Sequence, residues 1–159
     1  MENSRLKPEM AISSSSALTT PSPAITKTTI ATATTAIKTM IENATEGLSY
    51  RCFNYLFNKV LPGSRGKENA LTICDYMSSL RSEINPSDNY RRDNIILLCD
   101  LSIFFNNKNA KIFKEITRED LLSFLDSFRK AESVDPLHKW IGTYNIYRIH
   151  LMRFFKWLY

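Results

Sequence analysis

The stretch NPSDNYRRDNIILLCDLSIFF, residues 85–105, decides the fold. Pro86 pushes its predecessor out of the α region, so a helix arriving from upstream must end near Ile84. Ser87 can cap the next helix through its hydroxyl, and Asp88 and Asp93 lie toward the positive end of that helix's macrodipole. Tyr90, Leu97, Leu98, Leu101, Phe104 and Phe105 then form one apolar stripe, while Ile95, Ile96, Cys99 and Ile103 cover much of the opposite side. A helix apolar nearly all round is central in its domain. The remaining elements must pack around it.

Upstream, Ala70, Ile73, Cys74, Met77, Leu80 and Ile84 follow helical spacing and predict a helix over 68–84. Phe53, Leu56, Phe57 and Val60 predict an earlier one over 50–61, stopped by Pro62 and Gly63. The loop LPGSRGK beyond it is not a phosphate loop, because the spacing of its glycines is too short and no strand precedes it. Downstream, Asn106, Asn107 and Asn109 end the central helix, and Thr117 opens the next with a near capping box over Arg118-Glu119-Asp120. Leu121, Leu122, Phe124, Leu125 and Phe128 make the buried face of that helix. A last helix begins between His138 and Thr143 and runs to the end on a stripe of Tyr144, Tyr147, Leu151, Phe154, Phe155 and Leu158. With no β-period alternation of useful length, the expectation is an all-α bundle of four or five helices.

The chain has 159 residues, with 21 Lys and Arg against 16 Asp and Glu, a net charge of +5. That length fits one domain. No apolar run approaches the roughly 18 to 20 residues that cross a bilayer, so a cytoplasmic protein without a membrane partner is expected. Between Ala11 and Met40, 22 of 30 residues are Ser, Thr, Ala or Pro, a composition that buries too little surface to offset its ordering entropy. Residues 1–45 are therefore read as a disordered tail and 46–159 as the folded domain. A frayed helix between Thr29 and Glu46, suggested by the loose spacing of Ile25, Ile30, Ile37 and Ile41, is the alternative for the end of the tail.

Chemistry is sparse. Cys52, Cys74 and Cys99 are too widely spaced for a metal knuckle and are expected to fill a core; His138 and His150 alone do not make a zinc site. No nucleophile, base and orienter can be assembled, and the carboxylates are explained as caps. Neither cofactor, metal nor small-molecule substrate is expected. The informative feature is charge. From His138 to Tyr159 there are Lys139, Arg148, Arg153 and Lys156 and no acid. Asn145, Arg153 and Lys156 fall within an arc of about 80° opposite the apolar stripe, with Arg148 at its flank. An ordinary solvated face would explain this strip; so would a helix lying against phosphates. Arg91 and Arg92 tilt the balance, because cations in the first turn of a helix oppose its dipole unless a polyanion is near. Thr143, Tyr144 and Asn145 add hydroxyl and amide donors at the start of the basic helix.

The pattern Asn85 to Asp93 opening a helix that ends in Phe104-Phe105 resembles the second helix of the core-binding domain of tyrosine recombinases, the SAM-like module of phage integrases. Residues 113–125 look like its short third helix, and Thr143 to Leu158 like its fourth. The likeness spans 68–159, and the long N-terminal segment makes the archaeal integrases most similar. It implies a SAM-like orthogonal bundle that grips double-stranded DNA as one half of a clamp, in DNA integration and site-specific recombination, associated with the nucleoid. It nominates Tyr90, Arg91 and Arg92 on one helix and Lys139, Thr143, Asn145 and Arg148 on the other, with Arg153 and Lys156 further along.

The family's catalytic domain follows the fourth helix and carries the Arg, His, Lys and Tyr of the strand-transfer reaction. Here the sequence ends at Tyr159, which is not assigned the nucleophile's role, and no enzymatic activity is expected of the chain. Other integrase protomers or a full-length recombinase would be its protein partners. Ile146, Ile149, Met152 and Trp157 lie off the main stripe of the last helix, suggesting a surface awaiting a neighbour or covered by the earliest helix. The rival reading is a helical protein-protein interaction module acting on a recombinase or replication partner; a helix-turn-helix regulator is weaker, for want of a short turn.

Overall fold

The computed structural model describes residues 23–159, with side chains from 34 onward, and places them in an all-α bundle of six helices. These are α1 (Pro23–Ala44), α2 (Tyr50–Tyr55), α3 (Gly66–Ile84), α4 (Asp88–Lys108), α5 (Arg118–Asp126) and α6 (Trp140–Leu158). The elements around α4 lie where the periodicity puts them. The helix expected over 50–61 is α2 continued by a π-helical turn, Leu56–Val60, in which the Leu61 amide donates to the Leu56 carbonyl at 3.0 Å. Ser87 caps α4 by accepting from the Tyr90 amide at 3.3 Å. That helix runs to Lys108, one turn beyond Phe105.

The sixth helix is α1, and it corrects the tail reading. Ile41 and Ala44 are buried, and Ile37 packs against the same core, so the domain begins well before residue 46. A weak stripe of Ile37, Ile41 and Ala44, recurring at i, i+4 and i+7, suffices because it lies along α3. The part of the expected tail over 1–22 lies outside the described residues.

The C-terminus of α1 ends inside the fold, where its last carbonyls need donors. Arg91, only 5% exposed on α4, sends one guanidinium nitrogen to the carbonyls of Ala44 at 3.2 Å and Glu46 at 2.9 Å. Its other terminal nitrogen pairs with Asp88 at 3.1 Å. Arg81 of α3 donates to the Asn43 carbonyl at 3.3 Å and the Glu46 carboxylate at 3.0 Å. Gly47, at φ +77°, turns the chain away immediately beyond. The cation that looked misplaced at one helix's N-terminus therefore serves another helix's C-terminus.

A second buried polar group joins three elements. The Asn69 amide donates to Ser102 Oγ at 2.9 Å and to the Lys111 carbonyl at 3.3 Å, and its oxygen accepts from the Phe113 amide at 3.0 Å. It holds α3, α4 and the 3-10 turn Phe113–Glu115 in register. The loop before α3 is also fixed by packing: a Cβ on Gly66 would sit 1.9 Å from the Val60 carbonyl oxygen. Cys52, Cys74 and Cys99 are free and buried; burial pushes the Cys74 thiol up to about 12 and the Cys99 thiol well above its ordinary value, so those two stay protonated core residues.

Two measurements test this frame. Arg91→Ala should lower the unfolding free energy in urea by about 2–4 kcal/mol, because it strands buried carbonyls, and Arg91→Lys should recover little of it, since a lysine lacks the planar fork that reaches three acceptors. The second concerns Asp120, which completes the capping box with Thr117 and accepts from Lys111 Nζ at 2.6 Å. The Lys111 ammonium, then the Thr117 amide, hold this carboxyl below its usual range. Its contribution is present above the unfolded carboxyl's titration and is lost as the pH falls through the lower folded value. Asp120→Asn should therefore cost about 1 kcal/mol at neutral pH, a deficit that shrinks in acid.

Candidate nucleic-acid interface

The apolar stripe of α6 rotates Leu151 and Phe154 into the core, the latter against Tyr76 and Phe113. Everything opposite that stripe faces solvent. Lys139, Thr143, Asn145, Arg148, Arg153 and Lys156 are all exposed. Among the described residues Lys139, Arg148 and Lys156 make no ion pair and no side-chain hydrogen bond, and no carboxylate stands on α6 itself. A surface cation without a partner has lost no desolvation energy to a salt bridge and is available to an external anion.

The α4 half of the expected interface is rearranged. Arg91 is withdrawn into the cap of α1, which removes it from any contact with phosphate. Arg92 is exposed but engaged with Asp93 at 3.0 Å and borders a shallow hollow with Gly47 and Ser49. Only Tyr90 joins the α6 residues. Its ring lies 4.9 Å from that of His150, and Arg153 donates to its hydroxyl at 3.4 Å with the guanidinium 6.0 Å from the ring centre. The structure therefore sets Thr143, Asn145, Arg148, Arg153 and Lys156 along one helix, with Thr143 on its α4 side and Arg148 on its α5 side, Tyr90 beside Arg153 and Lys139 at its start, while Arg91 is withdrawn.

Three residues outside the expected set shape this surface. His150 fills the junction of α4 and α6 beneath Tyr90, and burial holds its imidazole below the ordinary range, so it is neutral at physiological pH. Asp135 accepts from the Trp140 amide at 3.0 Å and so begins α6; an aspartate five residues ahead of the amide it serves falls outside the usual cap spacing. Arg118, at the first turn of α5, stands across a groove from Arg148 and Lys156, a proximity that only tertiary packing creates.

The exposed face of α6 is not purely polar. Ile149 is 66% exposed, Met152 61% and Ile146 55%, whereas Trp157 tucks against Tyr76 and Phe154. The helix α1 packs on α3, and no described residue covers the three. No helix among the described residues is long and apolar enough to cross a membrane, and no cluster of three His, Cys, Asp or Glu side chains is placed to hold a metal. In comparison with known proteins, the chain matches no family model, no curated protein and no solved structure.

The orientation of α6 is directly testable. Ile149→Gln should leave the unfolding free energy within about 0.5 kcal/mol of the unsubstituted protein, while Leu151→Ala, two residues on and buried, should cost about 2–5 kcal/mol.

Proposed function

We propose that the protein binds double-stranded DNA through the outer face of α6, as the gripping half of a clamp of the tyrosine-recombinase type. The observation that carries this reading is the set of exposed cations, Lys139, Arg148, Arg153 and Lys156, on one acid-free element. Phosphate is the anion such a strip suits best, since several cations spread along a helix can meet a backbone that carries a charge at every step. Thr143 and Asn145 would supply neutral donors near the start of the strip, and the Tyr90 hydroxyl, already held by Arg153, a further one. The resemblance over 68–159 to the SAM-like, orthogonally packed core-binding domain supports the same assignment, together with roles in DNA integration and recombination, a cytoplasmic, nucleoid-associated location and recombinase protomers as partners. Arg92 would contribute only after leaving Asp93. The chemistry of strand transfer is not assigned to these residues.

A second reading, a helical protein-interaction module, is favoured by the bare Ile146, Ile149 and Met152. The two differ in their response to salt. Anisotropy of a labelled random-sequence duplex should report binding that weakens log-linearly with salt, and Arg148→Ala, Arg153→Ala and Lys156→Ala together should flatten that slope by about 0.9 for each phosphate no longer neutralised. Duplex binding that is absent at low salt, or unchanged in the triple variant, would refute the assignment.

A further inference from the structure

Between α5 and α6 runs an open groove with a volume of about 630 Å3. Leu121, Leu125, Leu151 and Phe155 form its floor, and Leu122 and Met152, 40% and 61% exposed, stand at its edges. Arg118 from one helix and Arg148 and Lys156 from the other reach into its margins. Among the described residues no carboxylate lines it, and none of these three cations has an ion pair or a hydrogen-bonded side-chain partner.

We propose that this groove receives an acidic amphipathic helix of a partner protein, its apolar side chains on the leucine floor and its carboxylates against Arg118, Arg148 and Lys156. The shape is one reason. A trough between two helices accepts the ridge of a third, reading apolar anchors at i, i+3, i+4 and i+7. A flat bilayer surface would meet the rims and leave the floor empty. Charge is the other reason. A second copy of this chain would bring three more cations to the three already present, whereas an acidic helix neutralises them while burying the exposed edges of Leu122 and Met152. A nucleic acid would satisfy the cations but leave the apolar floor wet. This assignment does not rest on the DNA reading, although Arg148 and Lys156 are common to both surfaces, so an occupied groove would compete with duplex for them.

The test uses the full chain and a labelled synthetic peptide with leucines at i, i+3, i+4 and i+7 and glutamates between them. A matched peptide with lysine in place of glutamate is the control. Saturable binding of the acidic peptide alone is expected. Arg118→Glu, outside the proposed DNA strip, should weaken it roughly tenfold; Leu122→Gln should weaken it severalfold, and thermal melting of both variants should stay unchanged. Equal binding of the lysine peptide, no binding of the acidic one, or indifference to both substitutions would overturn the proposal. So would sedimentation as a dimer that Leu122→Gln dissociates, which would put a second copy in the groove.

Discussion

A helix that ends inside a protein leaves carbonyls pointing into a medium that cannot hydrate them, and Arg91 is the group that answers for α1. Each hydrogen bond from a charged donor contributes about 1.5–3 kcal/mol, and the guanidinium makes one to the last carbonyl of α1, at Ala44, and one to the Glu46 carbonyl just beyond, while pairing with Asp88. Arg81 closes the same terminus from α3. Because the two arginines come from the helices on which α1 and the core are built, the cap fixes the positions of α1, α3 and α4 together. Asn69 does the equivalent at the opposite end of α4, joining it to α3 and the turn at Phe113. With α1 to α4 tied in this way, α6 is left at the periphery, one stripe buried and the rest of its circumference open.

That openness is what gives α6 a surface to use. Its buried side is aromatic, with Phe154 edge-on to both Tyr76 and Phe113, a geometry that adds about 0.5–1.5 kcal/mol per pair beyond the area buried. The helix is thus held by few but large contacts, and its solvent side need not contribute to folding. Cations on that side cost the fold little: no acid of α6 neutralises them, and the dipole penalty falls only on those near the N-terminus. The same side exposes Ile146, Ile149 and Met152, which an element serving only as a solvated face would not require.

The helix pattern was legible because it is local. Ser87 and Thr117 declare helix starts through bonds three residues long, and Pro86 and the apolar periods set the limits of α3 and α4. The exposure of the nominated residues on α6 was legible for the same reason, since a stripe of core residues fixes where its opposite side points. Features set at a distance escaped reading. The acceptors of Arg91 lie 47 and 45 residues upstream, so an arginine in a first turn could not be told apart from a phosphate ligand. Arg92, its neighbour, points another way because successive helix positions turn by about 100°. The buried end of α1 was hidden by composition: Ile41 and Ala44 sit among threonines, and only the face of α3 makes that thin stripe worth burying. Arg118 joined the groove through the packing of α5 on α6, which no spacing in the sequence encodes.

The central claim, that the outer face of α6 meets duplex DNA, is tested most directly by mapping lysine reactivity. Reductive methylation of the folded chain with and without excess duplex at low salt, read by mass spectrometry, compares Lys139 and Lys156 with Lys59 and Lys67, all four exposed. If the claim holds, duplex protects Lys139 and Lys156 and leaves Lys59 and Lys67 as reactive as before. Protection centred on Lys59 and Lys67, or equal across all four, would contradict it.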